Sequence, residues 1–269
     1  MRWRWLPFAA AAAAAVLAMS LLSSPSQPTG AAGAAQRLRV QVLDRYPHDP
    51  KAFTQGLELR AGMLYEGTGL TGRSELRIVR PETGEVRNRV ALPDSAFGEG
   101  ITIVGSRIWQ LTFRNEFAFA RDRATLAEVQ RVNHSGEGWG LCHDGPRGRL
   151  VMSDGSSRLT FRNPQSFDPI GSVQVTQDGR PLERINELEC VGDRVWANVW
   201  QTDRIVRINP AEGKVDAVVD AAGLLTESED AKADVLNGIA AVPGTDTFLI
   251  TGKLWPWTFR VKFIPAAAG

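Results

Sequence analysis

One short unit recurs five times along this chain of 269 residues. Each copy has a polar or aromatic residue at its head, usually followed by glycine, and then two apolar strands separated by a turn. The copies begin at Gln55, Glu99, Trp139, Asn186 and Asn237, and their second residues are 44, 40, 47 and 51 positions apart. Repeats of about this length with several strands each are typical of β-propeller blades. The repeat therefore predicts an all-β fold, a five-bladed β-propeller.

Further strand patterns lie between the copies and complete units of four strands. They occupy 75–79, 87–92, 117–122, 128–133, 158–162, 169–175, 204–209 and 213–219. After the fifth copy only 258–263 remains, so the last unit lacks a strand. We expect residues 38–44 to supply it, because closing the ring with an N-terminal strand removes an exposed sheet edge. A β-sandwich with accidental periodicity is the alternative fold.

The five heads are expected to form a ring, because equivalent positions of propeller blades line one channel. Four of them are hydrogen-bonding side chains and one is aromatic, a set suited to a ligand pocket. Glu99 is the carboxylate of this ring, between Gly98 and Gly100, which allow other groups to approach closely. Burial near aromatic rings raises the pKa of a carboxyl. A group that acts as both acid and base near neutral pH needs such a raised pKa. The sequence therefore indicates Glu99 as a proton-transfer group.

The N-terminus has the pattern of an export signal. Arg2 and Arg4 precede an apolar, alanine-rich run at 6–22, and small residues follow at 31–35. A charged start, an apolar middle and a small-residue end are typical of a secretory signal peptide. We expect residues 1–35 to be a signal peptide and linker, residues 36–265 to form a single propeller domain, and the protein to be periplasmic or secreted. A retained N-terminal anchor is the alternative.

Charge and the metal-binding residue types argue against several classes of function. The formal net charge is +1, which gives no reason to expect nucleic acid or an anionic membrane as a partner. The three histidines, His48, His134 and His143, lack metal-ligand spacing, so we expect no metal site. Cys142 and Cys190 lie at positions of opposite parity in their repeats. Because successive strand residues face opposite sides, we predict that the two cysteines are not bridged.

Nine motifs carry a resemblance that covers the chain from position 53 to near 263. They are Phe53-Thr54-Gln55-Gly56-Leu57, Tyr65-Glu66-Gly67-Thr68-Gly69, Phe97-Gly98-Glu99-Gly100, Gly138-Trp139-Gly140-Leu141, Ser153-Asp154-Gly155-Ser156, Asn186-Glu187-Leu188-Glu189, Val195-Trp196-Ala197-Asn198-Val199-Trp200-Gln201-Thr202-Asp203, Asp234-Val235-Leu236-Asn237-Gly238-Ile239-Ala240 and Thr251-Gly252-Lys253-Leu254-Trp255-Pro256. In this order they resemble the plant-type and bacterial glutaminyl-peptide cyclotransferases, also called glutaminyl cyclases. Nine ordered motifs are far more specific than one short pattern.

The resemblance implies a five-bladed propeller with its active site at the channel mouth and Glu99 as the catalytic acid/base. It implies substrate-binding positions at Phe53, Gln55, Phe97, Trp139, Asn186, Trp200 and Lys253. One position departs from the family. Phe113 stands where members often carry tryptophan, and this removes an indole N–H donor from that edge of the site.

The resemblance also implies a reaction, the conversion of an N-terminal glutamine of a peptide or protein to pyroglutamate with release of ammonia. We accordingly expect N-terminal-glutamine peptides as partners, no cofactor, no metal, no membrane contact after signal removal, and a monomer. Two alternatives remain open. One is a non-catalytic propeller that binds a peptide or sugar at the same mouth. The other is a metal-dependent propeller hydrolase with Glu99, Asn186 and Asn237 as ligands.

Overall fold

The computed structural model describes residues 34–267, so nearly all of the predicted signal segment, residues 1–33, lies outside the described residues. Within 34–267 the chain consists mostly of β-strands, and the all-β prediction is confirmed. A search of the same residues for a helix that is long and apolar enough to cross a membrane finds none.

The described chain starts with β1 (Gln36–Pro47) and continues into three four-stranded antiparallel sheets. The first sheet contains β2 (Thr54–Arg60), β3 (Met63–Thr68), β4 (Glu75–Arg80) and β5 (Glu85–Ala91). The second contains β6 (Gly98–Val104), β7 (Arg107–Thr112), β8 (Phe117–Asp122) and β9 (Glu128–Asn133). The third contains β10 (Leu141–Asp144), β11 (Arg149–Ser153), β12 (Arg158–Arg162) and β13 (Pro169–Gln174).

A ten-stranded sheet takes up β1 and the rest of the described chain. Its other strands are β14 (Thr176–Gln177), β15 (Arg180–Pro181), β16 (Ile185–Val191), β17 (Arg194–Val199), β18 (Arg204–Asn209), β19 (Lys214–Asp220), β20 (Leu236–Ala241), β21 (Thr247–Gly252) and β22 (Trp257–Pro265). Each strand predicted from the sequence is present. The β14–β15 hairpin, a 3-10 turn at Gly145–Arg147 and the short helix α1 (Glu227–Asp230) were not predicted.

The N-terminal strand β1 joins two parts of the ten-stranded sheet. It pairs antiparallel with β22, where Val40 is opposite Phe263, so the predicted pairing with the last strand is confirmed. It also pairs parallel with β19, where Leu38 is opposite Val219, and this second pairing was not predicted. The strand order is therefore β16-β17-β18-β19-β1-β22-β21-β20. Because β1 hydrogen-bonds along both sides, it leaves no free edge between these two groups of strands.

Five strands, β2, β6, β10, β16 and β20, begin at the heads of the sequence repeat and are called the inner strands below. Each inner strand contacts the next one, and β20 contacts β2, so together they form a closed cycle. The opposite side of each four-stranded sheet ends in β5, β9 or β13, whose residues are almost all exposed. Charged residues on β5 and β9 suit such a position, because charge on an edge strand disfavours pairing with another chain.

Glycine at the second position of the repeat allows neighbouring inner strands to approach. A Cβ atom at Gly56 would lie 2.5 Å from the backbone nitrogen of Ile101, and one at Gly100 would lie 2.6 Å from the carbonyl oxygen of Trp139. A Cβ at Gly140 would collide with the carbonyl oxygen of Asn186. Real Cβ contacts of this length do not occur, so a larger residue at these positions would push the inner strands apart.

Buried and half-buried carboxylates link inner strands that do not share a backbone ladder. Glu187 on β16 accepts hydrogen bonds from the backbone N–H groups of Leu57 on β2 (3.2 Å) and Ile239 on β20 (2.9 Å). Further along the strands, Glu58 accepts the N–H of Ile103 and Glu189 accepts the N–H of Ala241, both at 2.8 Å. These bonds satisfy backbone donors that would otherwise be buried without partners. They also explain why acidic residues follow the heads of two repeats.

The prediction that the two cysteines are free is wrong, because Cys142 on β10 and Cys190 on β16 form a disulfide. Their Cα atoms are 5.4 Å apart, within the usual range for a bridge. The parity argument failed because β10 and β16 belong to neighbouring sets of strands, which present opposite faces to the space between them. Cys142, two residues after Gly140, packs in one core cluster with Leu188, one residue after Glu187. Leu188 and Cys190 lie on the same face of β16, because they are two residues apart in a regular stretch of its ladder, so opposite parity brings Cys190 towards Cys142.

Candidate active site

A cavity of about 350 Å³ opens at the heads of the inner strands. Its lining includes all eight residues predicted for the site, namely Phe53, Gln55, Phe97, Glu99, Trp139, Asn186, Trp200 and Lys253. Phe113, the position that departs from the family, also lines it, together with Gln201, Asp234 and Val235. The structure thus brings the predicted residues together in one pocket.

Bulges at the strand heads direct the polar side chains of this pocket. Register shifts lie between Thr54 and Gly56 on β2, between Gly98 and Ile101 on β6, and between Ile185 and Leu188 on β16. Each shift includes one pocket residue, respectively Gln55, Glu99 and Asn186. A bulge re-aims a side chain relative to the regular alternation of the strand. This is the local reason why three polar residues leave the sheets and face one cavity.

Glu99 is buried, with 4% of its surface exposed, and Gln55 holds its side chain in place. The Gln55 amide nitrogen donates to Glu99 Oε1 at 2.9 Å. Asn237, which lies outside the pocket lining, donates from Nδ2 to Gln55 Oε1 at 3.3 Å and to the Thr54 carbonyl at 3.0 Å. This chain of bonds orients the Gln55 amide so that its N–H group faces the carboxyl of Glu99.

Burial raises the pKa of Glu99 well above its ordinary value of 4.5. The positive charge of Lys253 opposes this shift, and the negative charge of Glu137 adds to it. Burial is the larger effect, because removal from water disfavours the charged form of a carboxyl. The direction agrees with the expectation from the sequence. A carboxyl with a raised pKa can both accept and return a proton near neutral pH.

Lys253 is a second buried titratable group of the pocket. Its ammonium lies 4.8 Å from the ring centroid of Phe53. Burial lowers the pKa of Lys253, while the charges of Glu99 and Asp234 raise it. Two backbone hydrogen bonds join Lys253 to the segment that precedes β20. Lys253 N–H donates to the Val235 carbonyl (2.9 Å), and Asp234 N–H donates to the Lys253 carbonyl (2.8 Å). The ammonium is therefore presented from a turn whose backbone is hydrogen-bonded to the segment before β20.

Five aromatic rings form a continuous arc around the pocket. In order they are Phe53, Phe97, Phe113, Trp139 and Trp200, with centroid separations of 6.2, 5.7, 6.3 and 5.4 Å between neighbours. The first and last contacts are edge-to-face, an arrangement that aromatic pairs prefer. The arc gives the cavity a continuous stretch of apolar wall.

Asn186 contributes a polar atom that remains unpaired. It is 2% exposed, and within residues 34–267 its side-chain Oδ1 has no hydrogen-bond partner. Its backbone carbonyl, by contrast, accepts the Ser153 hydroxyl at 2.6 Å. A buried acceptor without a partner costs free energy. Because Oδ1 has almost no accessible surface, the part of the Asn186 amide that is open to the cavity is the Nδ2 donor.

Three lining residues were not selected from the sequence. Gln201 has a positive φ of 60° and follows Trp200 at the end of β17. Asp234 and Val235 lead into β20, opposite the turn that carries Lys253. All three stand inside motifs that carried the family resemblance. Their adjacency to pocket residues along the chain was the available signal, but nothing in the sequence indicated that these turns face the cavity.

The described residues contain no group of three or more His, Cys, Asp or Glu side chains able to hold a metal ion. Two of the histidines are accounted for by protein contacts. His48 Nε2 lies 3.0 Å from Glu66 Oε1, in a buried cluster that includes Arg77. His134 packs against the ring of Phe167. Neither residue lines the cavity.

Comparison with known proteins gives consistent matches. The sequence matches the glutamine cyclotransferase family over residues 13–263. A glutaminyl-peptide cyclotransferase of Arabidopsis thaliana is 39% identical over 235 residues, which cover 85% of this chain and 72% of the relative. Among solved structures, the glutaminyl cyclase of Myxococcus xanthus is similar with a TM-score of 0.78 and 38% identity. That match covers 86% of this chain and 99% of the Myxococcus chain.

Proposed function

Because the chain belongs to the glutamine cyclotransferase family, we propose that it converts the N-terminal glutamine of peptides to pyroglutamate and releases ammonia. The observation that carries this proposal is Glu99, a buried carboxyl of raised pKa that Gln55 orients inside an aromatic-walled pocket. A glutamine side chain is small enough for a cavity of about 350 Å³.

The reaction needs no nucleophile from the protein. The free α-amine of the substrate attacks the carbon of its own side-chain amide, a C–N bond forms, and a five-membered lactam closes. The bond to the amide nitrogen then breaks, and that nitrogen leaves as ammonia. Because the nucleophile and electrophile belong to one residue, holding the reactive rotamer between the rings of the arc supplies much of the acceleration.

Glu99 carries the proton between the two nitrogens. Its ionised carboxylate accepts a proton from the attacking amine, and the resulting acid donates it to the departing nitrogen. One group serves both steps because its raised pKa lies closer to the operating pH than that of an exposed glutamate. The bond from Gln55 keeps Oε1 occupied, so Oε2 is the oxygen that faces the substrate.

Lys253 and Asn186 complete the site. As the reaction proceeds, negative charge develops on the substrate amide oxygen, and the buried ammonium of Lys253 stabilises it. The Asn186 side chain, which lines the cavity, donates from Nδ2 to the same substrate amide oxygen. Phe97, Trp139 and Trp200 exclude water from the reacting carbon, which disfavours hydrolysis of the amide to glutamate.

We propose that the fold is a five-bladed β-propeller formed by residues 36–265. Its first three blades are the four-stranded sheets, the fourth is β16–β19, and the fifth is β20–β22 completed by β1. The closed cycle of five inner strands supports this count. The pocket then lies at one mouth of the central channel, where each blade contributes the head of its inner strand.

We also propose that the protein is exported and acts as a monomer on peptides or proteins with N-terminal glutamine. The charged and apolar N-terminal segment supports export as a signal peptide. The Cys142–Cys190 bridge supports an oxidising compartment, periplasmic or extracellular, because structural disulfides persist there. The near-zero formal charge supports the absence of nucleic acid and membrane as partners.

The test is incubation of the purified protein with a dipeptide that begins with glutamine, read by ammonia release with and without a chelator. We expect ammonia at the same rate in both, and none from a dipeptide whose α-amine is acetylated. Binding of the dipeptide without ammonia release would instead show the non-catalytic alternative. Loss of activity on chelation, with recovery when an ion is added back, would show a metal-dependent enzyme.

A further inference from the structure

Glu137, in the segment before β10, ties two rim loops of the pocket together. Its Oε2 accepts the indole N–H of Trp139 at 2.9 Å, and its Oε1 accepts the Nε–H of Arg114 at 2.8 Å. The guanidinium of Arg114 in turn lies 4.6 Å from the ring centroid of Phe113. One carboxylate thus connects two of the five rings of the aromatic arc.

The Trp139 indole has contacts on several sides, and its N–H determines how the ring is oriented. It meets Trp200 edge-to-face at 5.4 Å and lies 6.3 Å from the Phe113 ring. A Cβ at Gly155 would be 2.6 Å from the indole Cζ2, so the ring rests directly on the backbone there. Rotation of the ring by half a turn would keep most of this apolar contact. It would lose the bond to Glu137, which is therefore the contact that selects one orientation.

Glu137 also places negative charge near the catalytic carboxyl. This charge raises the pKa of Glu99, whereas the charge of Lys253 lowers it. Asp234 acts on Lys253 from the other side of the pocket, and Arg114 is the cation paired with Glu137 itself. Among the described residues, Glu137 is the carboxylate whose charge raises the Glu99 pKa, so its removal leaves burial and Lys253 to set that pKa.

We propose that Glu137, anchored by Arg114, is a positioning residue that holds Trp139 as one wall of the substrate pocket and thereby keeps a negative charge at the rim of the cavity that Trp139 and Glu99 both line. This inference rests on the proposed function, because it assigns Glu137 a role in that reaction. Glu137 acts through Trp139 and Glu99, and it is absent from the lining of the cavity.

Two substitutions separate the effect of the Glu137 charge from its effect on the position of Trp139. For each variant, kcat and KM for a glutamine dipeptide are measured across a range of pH. In Glu137→Gln the amide oxygen can still accept the indole N–H, but the charge is gone. We expect KM close to wild type, and we expect the acidic limb of the kcat profile to move to lower pH because the pKa of Glu99 falls. In Glu137→Ala the wall is released as well, and we expect KM to rise about three- to tenfold, the effect of one lost hydrogen bond.

The matched control is Glu128→Gln on β9. Glu128 also pairs with an arginine, Arg131, and its side chain is 37% exposed compared with 33% for Glu137. We expect the control to leave both KM and the acidic limb unchanged. If Glu137 had a purely structural role, its substitution would change the stability of the protein but not the pH at which kcat falls on the acidic side. The pH profile of kcat is therefore the measurement that decides between the two roles.

The outcomes separate the inference from the proposed function. If the wild type is active and the acidic limb of Glu137→Gln coincides with that of the wild type, the inference is overturned and the function stands. An unchanged KM in Glu137→Ala overturns it equally, because the wall would not need the carboxylate. A wild-type protein that releases no ammonia overturns the proposed function and the inference with it.

Discussion

The inner strands carry glutamates in two regions, at the cavity and between neighbouring strands, and the two regions use them differently. Glu187 accepts two backbone N–H groups from neighbouring strands, and Glu58 and Glu189 accept one each. Glu99, at a head, accepts from the side chain of Gln55 and faces a cavity. Burial raises the pKa of both Glu99 and Glu187 well above the ordinary value. A raised pKa alone therefore does not distinguish a catalytic carboxyl from one that links strands.

The difference lies in what surrounds each carboxyl. Both oxygens of Glu187 are engaged by backbone groups, which fixes it and leaves no oxygen for a substrate. Glu99 has a side-chain donor on one oxygen, a nearby ammonium and open space within reach of the other. Proton exchange requires access as well as a suitable pKa. Substitutions at the two positions should therefore affect different properties, one the rate and the other the stability.

The largest expected effect is that of Glu99→Gln on the rate. The amide has nearly the shape of the carboxyl but cannot take the proton from the attacking amine, so we expect kcat to fall by ~10² to 10⁴. The measurement is ammonia release from a glutamine dipeptide, with circular dichroism to confirm the fold. A folded variant that keeps most of its kcat would remove the contrast between the two regions.

The next effect concerns the bridge between β10 and β16, the strands that follow Trp139 and carry Asn186. The double substitution Cys142→Ala and Cys190→Ala should lower the free energy of unfolding by about 2–4 kcal/mol, because it removes a cross-link between distant parts of the chain. Urea unfolding measures this, with the reduced wild type as a control. We expect kcat to change little, and equal losses of rate and stability would show that the pocket depends on the bridge.

A smaller loss of stability is expected for Glu187→Gln. A glutamine keeps one acceptor oxygen, so one of the two backbone N–H groups, from Leu57 or Ile239, is left unpaired in the interior. We expect the free energy of unfolding to fall by about 1–3 kcal/mol. The activity of the folded variant should stay close to wild type. A loss of rate as large as that of Glu99→Gln would mean that both carboxyls serve the reaction.

The smallest effect is a pH dependence that follows from the raised pKa of Glu99. A carboxyl with a higher pKa in the folded state adds stability that is full below its unfolded pKa, near 4.5, and is lost as pH rises through the folded pKa. Glu99→Gln lacks this dependence, so its stability relative to wild type should increase from acidic to alkaline pH. Urea unfolding of both proteins at several pH values checks the sign. A constant difference would mean that the folded and unfolded pKa values coincide.

Much of the fold and the site could be predicted from the sequence because the repeat constrains both. Once five copies align, their heads are expected to meet, and four of them, Gln55, Glu99, Trp139 and Asn186, do line one cavity. The family resemblance added the remaining lining residues that were predicted, Phe53, Phe97, Trp200 and Lys253. The alternation of strand residues was a poorer guide. The parity argument assumed that bridged residues have equal parity, whereas neighbouring inner strands present opposite faces to each other, so that Cys142 and Leu188, of opposite parity, share one core cluster.

Contacts set by tertiary structure could not be predicted. The parallel pairing of β1 with β19 depends on where the two strands meet in space, and no local pattern indicates it. Asn237 was placed among the ring of heads, yet it lies behind Gln55 and orients it. Asp234 and Gln201 reach the cavity through turns whose direction depends on packing around Lys253 and Trp200.

The most direct test of the central claim uses a peptide whose N-terminal glutamine carries isotope-labelled nitrogen in its side-chain amide. The wild type should release all of the label as ammonia and leave a product whose α-amine is blocked within the lactam ring, and Glu99→Gln should do neither at a comparable rate. Mass spectrometry identifies the product, and isotopic analysis of the ammonia measures the released label. A product that ends in glutamate with a free α-amine would show hydrolysis, and label retained in the peptide would show no reaction at the amide. Either result would contradict Glu99-dependent cyclisation in this pocket.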